Sequence, residues 1–510
     1  MRIKAIGRHP AFRRATDIVM RFVPVAALIG LASYISAQQA INPHRRVIKF
    51  AVLLGLLAMM LRFDMVYSVY LFTVLFPFPS SVSIGSTNSI LMTLIPLIWA
   101  VRATSTKTAI IVRRTGVDGA IIVFLFAFVL SFFNVESTSE LMQSLTVLWR
   151  TVSTIVYFYL IVTFVDNEKK IFTLLKITCA VCGAIMLTAV LELVLPGRAL
   201  IPGWIGYLER GDIGAIGYRI EGMRVGGALK SQAMLADFGT RTFFLLLFLT
   251  MRTRNAFEKL IWAGVTLLTI VAVVATANRG AFFSLALGGI YLLFMFRKRI
   301  SMVRMVVLIG TITAIFAVSE VLLTKYTFAT SLSQRILGTQ FEGFVPDTRG
   351  NTWEHAIRAS MDHPFIGHGP YYDIGEGLTY QLWPHNGFIF YLYTIGIVGL
   401  LAFFAVLYQL WKYSLCYRLP FVGGTRLADL GKVLHAVFFV MLFQQLRTDF
   451  QRDDVYPYMV WLIFGFITTV GLVLQDRSRE LAEEPPEAAG GGENGRKRLF
   501  RRRRRGRLWS

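Results

Sequence analysis

LWPHNGFIFYLYTIGIVGL, Leu382–Leu400, sets a histidine at the mouth of a long apolar run. His385 follows a proline and precedes an asparagine, and the next charged residue is Lys412. A bilayer crossing needs about 20 apolar residues, so the run reads as a membrane span. Its neighbours extend that reading to the whole chain. Of 510 residues, 55% are hydrophobic and only 16% charged, against about a quarter charged in soluble domains. The fold class is therefore an all-α integral membrane protein, in which the 41 phenylalanines and 19 tyrosines suit a helical bundle with interfacial aromatics.

Hydropathy gives fourteen candidate spans: 18–36, 47–62, 65–78, 88–101, 117–134, 140–165, 171–195, 229–250, 258–277, 280–296, 303–323, 385–411, 432–448 and 455–474. The third and fourth are short, so the expected number is about 12 to 14. Basic residues gather in alternate loops: Arg102, Lys107, Arg113 and Arg114; Arg252, Arg254 and Lys259; Arg297, Lys298, Arg299 and Arg304. The positive-inside rule puts these loops and both termini in the cytoplasm, with Arg45 and Arg46 as the dissenting loop. The same rule accounts for the net charge of +23, so nucleic-acid binding is not expected. The expected organisation is a cytoplasmic N-terminus over 1–17, a polytopic membrane domain over 18–474 and a disordered basic cytoplasmic tail over 475–510. No cleavable leader is expected in the first residues. The tail ends in RKRLFRRRRRGRLWS, a block attracted to anionic lipid head groups.

Two external segments stand out, 196–228 and the longer loop 324–384, which reads as partly helical from Asn351 to Met361. Around them lie the residues able to do chemistry. His385 is expected at the external end of a span, with Pro384 in the first helical turn. There the positive end of the helix dipole disfavours imidazolium, which suits a general base. Arg219, Arg224, Arg279 and Arg349 fall on the same side, where the charge rule predicts few cations. A bound anion explains them, since guanidinium forks grip phosphate oxygens with paired bonds. Glu221 and Asp347 are their alternative ion-pair partners. Gly280 and Gly350, each directly after an arginine, would let a substrate approach the backbone. Arg150, Glu192, Asp237 and Arg241 fall within spans, where charged groups are functional candidates; Asp237 and Arg241, spaced i,i+4, are expected to pair. Cys179 and Cys182 lie inside an apolar run and read as packing residues. Neither external loop carries a D-x-D motif, and the histidine spacings match no metal motif, so no metal and no cofactor are expected.

TANRGAFFSLALGG (276–289), RGNTWEHAIRASMDHPFIGHGP (349–370) and PHNGFIFYLYTIGIVGLLAFF (384–404) occur in the order found in the bacterial O-antigen ligase and O-antigen polymerase superfamily, which this chain resembles over about residues 219–411. The resemblance implies a GT-C-like multi-helix fold in the bacterial inner membrane. It implies transfer of a glycan from undecaprenyl diphosphate to an acceptor on the periplasmic face. The acceptor would be lipid A-core for a ligase, or a second lipid-linked glycan for an O-antigen or exopolysaccharide polymerase. Carried over by motif, His385 resembles the catalytic histidine, and Arg279 and Arg349 the arginines on the donor diphosphate. Asn386 would fix the start of the helix beside the base, and Trp353 would pack the loop helix. A glycan-lipid transporter is the competing class, but the polar groups gather at one face and no internal repeat is visible.

Overall fold

A computed structural model describes residues 63–78, 86–106, 109–194, 225–229, 231–297, parts of 310–325, 331–337, 341–342, 345–371, 384–448, 451 and 453–483. The spans expected at 18–36 and 47–62 lie outside the described residues. The described chain is helical: α1 Met65–Leu75, α2 Thr87–Thr106, α3 Asp118–Ser131, α4 Thr138–Phe164, α5 Glu168–Val194, α6 Gln232–Arg252, α7 Ala256–Ala275, α8 Arg279–Phe296, α9 Leu332–Leu337, α10 Asp347–Ser360, α11 Gly387–Ser414, α12 Arg426–Gln445 and α13 Tyr456–Glu483. Strands β1 (Phe341–Glu342) and β2 (Val345–Pro346) form a small antiparallel hairpin before α10. Among the described residues, eight helical runs are long and apolar enough to cross a membrane, and α1 and α3 are shorter apolar helices. Apart from that hairpin the regular structure of the described residues is helical, and the protein is an integral membrane protein.

Polar caps set the helix starts, which is why the helices begin slightly outside the apolar windows. Ser137 and Glu140 form a reciprocal capping box on α4. Ser231, Asn255, Asn278 and Thr425 cap α6, α7, α8 and α12 through their side-chain oxygens. Helix α13 is the hub, buried along most of its length against α4, α11 and α12. It runs on to Glu483, past the expected tail boundary at 475; residues 484–510 lie outside the described set. Around Tyr458, the rings of Phe72, Phe76 and Tyr157 pack edge to face and tilted, and Tyr458 shares a hydrogen bond with Ser153 at 2.6 Å.

The helices alternate between two ends of the bundle. One end gathers basic residues and their partners: Arg113 with Asp476 at 2.6 Å, Arg477 with Glu168 at 3.4 Å, and Arg252 and Lys432 with the buried Asp429. The starts of α6, α8 and α13 and the end of α12 lie at the other end, called here the site end.

Helix α11 corrects the expectation of one continuous span over 385–411. Gly396 has φ 67° and ψ −173°, and the chain reverses there. In a continuous helix Phe388 and Phe404 would lie about 24 Å apart. Their ring centroids are 5.3 Å apart, and those of Tyr391 and Phe403 are 4.6 Å apart. Residues 387–395 therefore form a short limb folded back against 397–414, which is itself long enough to cross a bilayer.

The reversal leaves backbone groups without helical partners, and the segment after α10 supplies them. His368 and Gly369 N–H donate to the Tyr393 and Thr394 carbonyls at 2.9 and 3.0 Å. Ile397 and Val398 N–H donate to the Pro364 and Phe365 carbonyls at 2.9 and 3.3 Å. Gly367, also at positive φ, is required because a Cβ there would lie 2.4 Å from the Thr394 carbonyl carbon. His368 completes the clasp, donating from Nε2 to the Ala359 carbonyl at 2.7 Å and stacking on Tyr393 at 4.4 Å. Burial pushes its imidazole below the usual histidine value, opposed by the Ala359 bond.

Candidate functional site

The folded-back limb carries His385 away from the turn at Gly396 by about 13 Å at the usual rise per residue. His385 lies at the end of the limb far from the turn, level with the end of α12: a Cβ on Gly387 would lie 2.6 Å from Gln445 Oε1 and 3.3 Å from the Thr448 carbonyl oxygen. Asn386 caps the limb, its Oδ1 accepting from the N–H groups of Phe388 and Ile389 at 3.0 and 3.3 Å. Pro384 lies ahead of the cap rather than in the first turn, and its carbonyl accepts a 2.5 Å hydrogen bond from Trp353 Nε1. Trp353 therefore ties α10 to the segment that presents His385. The His385 backbone is left-handed, φ 47°, a conformation costing a non-glycine residue about 1–3 kcal/mol.

The same device recurs at α8. Ala277 has φ 48°, Asn278 caps the helix by accepting from Ala281 N–H at 3.1 Å, and Arg279 opens it. Arg447, just past the end of α12, links this helix start to α6. Its Nη1 donates to Asn278 Oδ1 at 3.1 Å, and its Nη2 pairs with the buried Asp237 of α6. Gly280 makes room for this arginine rather than for a substrate: a Cβ there would lie 2.5 Å from Arg447 Cδ.

Beneath Arg447 lies a buried polar network. Arg241 donates from Nε to Gln444 Oε1 and from Nη2 to Tyr456 Oη, both at 2.5 Å, and stands 3.9 Å from Asp237. The Tyr456 hydroxyl also meets Gln445 Nε2 at 3.0 Å and Thr448 Oγ1 at 3.1 Å. Asp453 starts α13 by accepting from the Val455 and Tyr456 N–H groups at 2.7 and 3.2 Å. Burial pushes its carboxyl above the usual value, and those two N–H groups draw it partly back. Arg150 pairs with Asp454 at 2.8 Å beside this turn.

These contacts bring His385 and Arg279 to one region through Gly387, Gln445, Arg447 and Gly280. Arg349 lies in the first turn of α10, one turn ahead of Trp353, so its backbone is at the His385 end of that helix. Arg219, Glu221 and Arg224 lie outside the described residues. Glu192 does not join the network; its carboxylate accepts from the Gly226 and Gly227 N–H groups at 3.2 and 2.8 Å and holds that turn. Asp237 and Arg241 pair as expected, but within a larger cluster. Sequence reading passed over Arg447, Gln444, Gln445 and Tyr456. The signal available was QQLRTDFQRDD, 444–454, a dense polar stretch between two strongly apolar helices.

Alongside α8, starting one turn below Arg279, runs an apolar cavity of about 700 Å³. Phe244, Phe248, Phe282, Leu285, Phe296 and Phe316 are among its lining residues. The arrangement is that of a polytopic membrane protein with helix starts, arginines and a histidine collected at one end, above an apolar slot. Residues 264–404 match the family model described as O-antigen ligase, which places this segment in the O-antigen ligase and polymerase superfamily. No curated protein matches the chain.

Proposed function

We propose that the chain is a ligase-like glycosyltransferase that moves a glycan from undecaprenyl diphosphate to an acceptor hydroxyl at the periplasmic face of the bacterial inner membrane. The observation that carries this reading is the reversal at Gly396, which sets His385 on a folded-back half-helix at the level of the end of α12 and the start of α8. The starts of α8, α10 and the limb of α11 each present a positive dipole end, which favours a polyanion. Arg279 and Arg349 hold the diphosphate. The cavity beside α8 takes part of the polyprenyl chain.

In the transfer, the acceptor oxygen bonds to the anomeric carbon as the bond from that carbon to the diphosphate oxygen breaks. His385 takes the hydroxyl proton, and the arginines stabilise the charge growing on the departing undecaprenyl diphosphate. No step requires a metal. With lipid A-core as acceptor the enzyme is a ligase; with a second lipid-linked glycan, the same chemistry makes it a polymerase. The test is a purified-component assay with undecaprenyl-diphosphate glycan and each acceptor. Product from the wild type and none from His385→Ala is the expected result, and undiminished transfer by His385→Ala would overturn the proposal.

A further inference from the structure

The apolar cavity beside α8 has a second end, and that end is charged. From Phe282 to Phe296 the cavity follows about 21 Å of the helix, and at the basic end of the bundle Met251, Arg252 and Val433 join its lining. Arg252, a lining residue with 41% of its side chain exposed, marks the mouth. Arg252 and Lys432 both pair with the buried Asp429. Lys432 also stands 5.0 Å over the ring of Phe296, itself a lining residue. Arg297 lies one turn past the lining residue Leu293, its guanidinium 4.1 Å over the Phe294 ring. Glu258, on the first turn of α7, pairs instead with Lys176 at 2.7 Å. Three cations and one carboxylate thus surround the end of an apolar slot.

Charge and shape together choose the occupant. A small anion would leave the apolar lining unfilled, and an uncharged lipid would make no use of the cations. Basic pockets between spanning helices hold anionic lipid head groups. We propose that this end of the cavity binds an anionic glycerophospholipid, with its phosphate between Arg252, Lys432 and Arg297 and one acyl chain running along α8 past Gly289. The lengths agree. The hydrocarbon of one leaflet is about 15 Å deep, half of the bilayer core. A chain entering at Phe296 therefore passes Gly289 and stops short of Phe282, which leaves the stretch nearest Arg279 to the donor's polyprenyl chain. Gly289 opens the path: it lines the cavity, and nothing lies within 4 Å of a Cβ built there. No packing contact requires a glycine at that position, although glycine in a helix interior costs about 1 kcal/mol relative to alanine. Binding of this lipid does not depend on transfer.

The test measures lipid binding by the delipidated full-length chain in detergent, with no glycan donor present. Dipalmitoyl phosphatidylglycerol is the anionic probe, and dipalmitoyl phosphatidylcholine is the neutral one with the same chains. The wild type is expected to bind the anionic lipid at least roughly tenfold more tightly, since each cation beside a head group contributes about fivefold. Arg297→Gln, at an exposed position, should lower that affinity about fivefold and leave the neutral lipid unaffected. Gly289→Leu fills the path and should abolish binding of the anionic lipid. Its lipid-free melting temperature should equal or exceed that of the wild type, because leucine is the better helix former. Equal affinity of the wild type for the two probes would overturn the proposal, as would undiminished binding of phosphatidylglycerol by Gly289→Leu. If Gly289→Leu fails to fold, Arg297→Gln decides, and an unchanged preference for the anionic probe overturns the proposal. Undecaprenyl phosphate that displaces phosphatidylglycerol, and is itself excluded by Gly289→Leu, would give the whole cavity to the polyprenyl chain. That result would remove the phospholipid site and leave the transferase reading standing.

Discussion

Replacing Gly396 with alanine tests the reversal on which the site depends. At φ 67° and ψ −173° the residue occupies a region essentially reserved for glycine, and a side chain there costs about 1–3 kcal/mol. Space adds a second cost. The new Cβ would lie 2.3 Å from the Phe365 carbonyl oxygen and 2.5 Å from the Ile366 nitrogen, both backbone atoms that cannot rotate away. The clasp must withdraw, which exposes its four backbone hydrogen bonds, each contributing about 1 kcal/mol net. The combined loss is about 5–7 kcal/mol, a large share of an ordinary folding margin of about 5–15 kcal/mol. Gly264→Ala is the control, because nothing lies within 4 Å of a Cβ built there and a mid-helix alanine gains up to about 1 kcal/mol. Fluorescence-detected melting in detergent should separate the two variants widely, and Gly396→Ala should lose transfer. A melting temperature matching that of Gly264→Ala would refute the reversal, since a straight helix welcomes alanine at that position.

Trp353→Phe keeps the ring but removes the donor to the Pro384 carbonyl; kcat should fall by roughly tenfold, the worth of one hydrogen bond, with melting little changed, as steady-state kinetics and thermal scans will report. Gly280→Ala forces the Arg447 stem aside and disturbs its bonds to Asn278 and Asp237, an overpacking cost of about 1–3 kcal/mol that a thermal scan should report as a melting temperature below that of Gly264→Ala. Acidification should loosen the clasp through His368. Its folded value is depressed, so its contribution to stability is present above the ordinary histidine value and is lost as pH falls through that value toward the folded one. Wild type should lose more melting temperature than His368→Asn between about pH 7 and pH 5, and parallel curves would exclude the histidine as the cause.

Much of the bundle was legible because hydropathy and capping act locally. The windows over 140–165, 171–195, 229–250 and 258–277 each fall on a helix whose start is fixed by a nearby polar residue. The reversal was not legible for the opposite reason. An apolar count has no direction, so TIGIVGLLAFF reads the same whether the helix continues or doubles back. Only the pairing of residues 364–369 with 393–398, contacts distant from any periodicity, makes Gly396 a turn. Arg447 escaped for a related reason. It was absorbed into the end of a span, and its significance depends on Asp237 and Asn278, each more than a hundred residues away in sequence.

The starts of α8 and of the α11 limb explain how such distant segments reach a common geometry. Ala277–Asn278–Arg279 and His385–Asn386–Gly387 each place a left-handed residue before an asparagine cap. The left-handed residue swings the incoming chain off the helix axis, and the cap satisfies the first amides without help from water. The next residue is then free to face the shared polar region, as Arg279 opens α8 and Gly387 lets the limb close on Gln445. The strain at His385 has a chemical consequence. A right-handed residue at that position would carry the chain on along the axis of the limb and take the imidazole with it. The left-handed one turns the chain aside at the dipole end of the limb. His385→Gly should therefore retain the fold, because glycine adopts this φ without cost, yet lose transfer for want of the ring. Melting equal to or above the wild type with no product is the expected pair of results. A destabilised His385→Gly would mean that the imidazole packs for stability, and the residue would lose its claim to the chemistry.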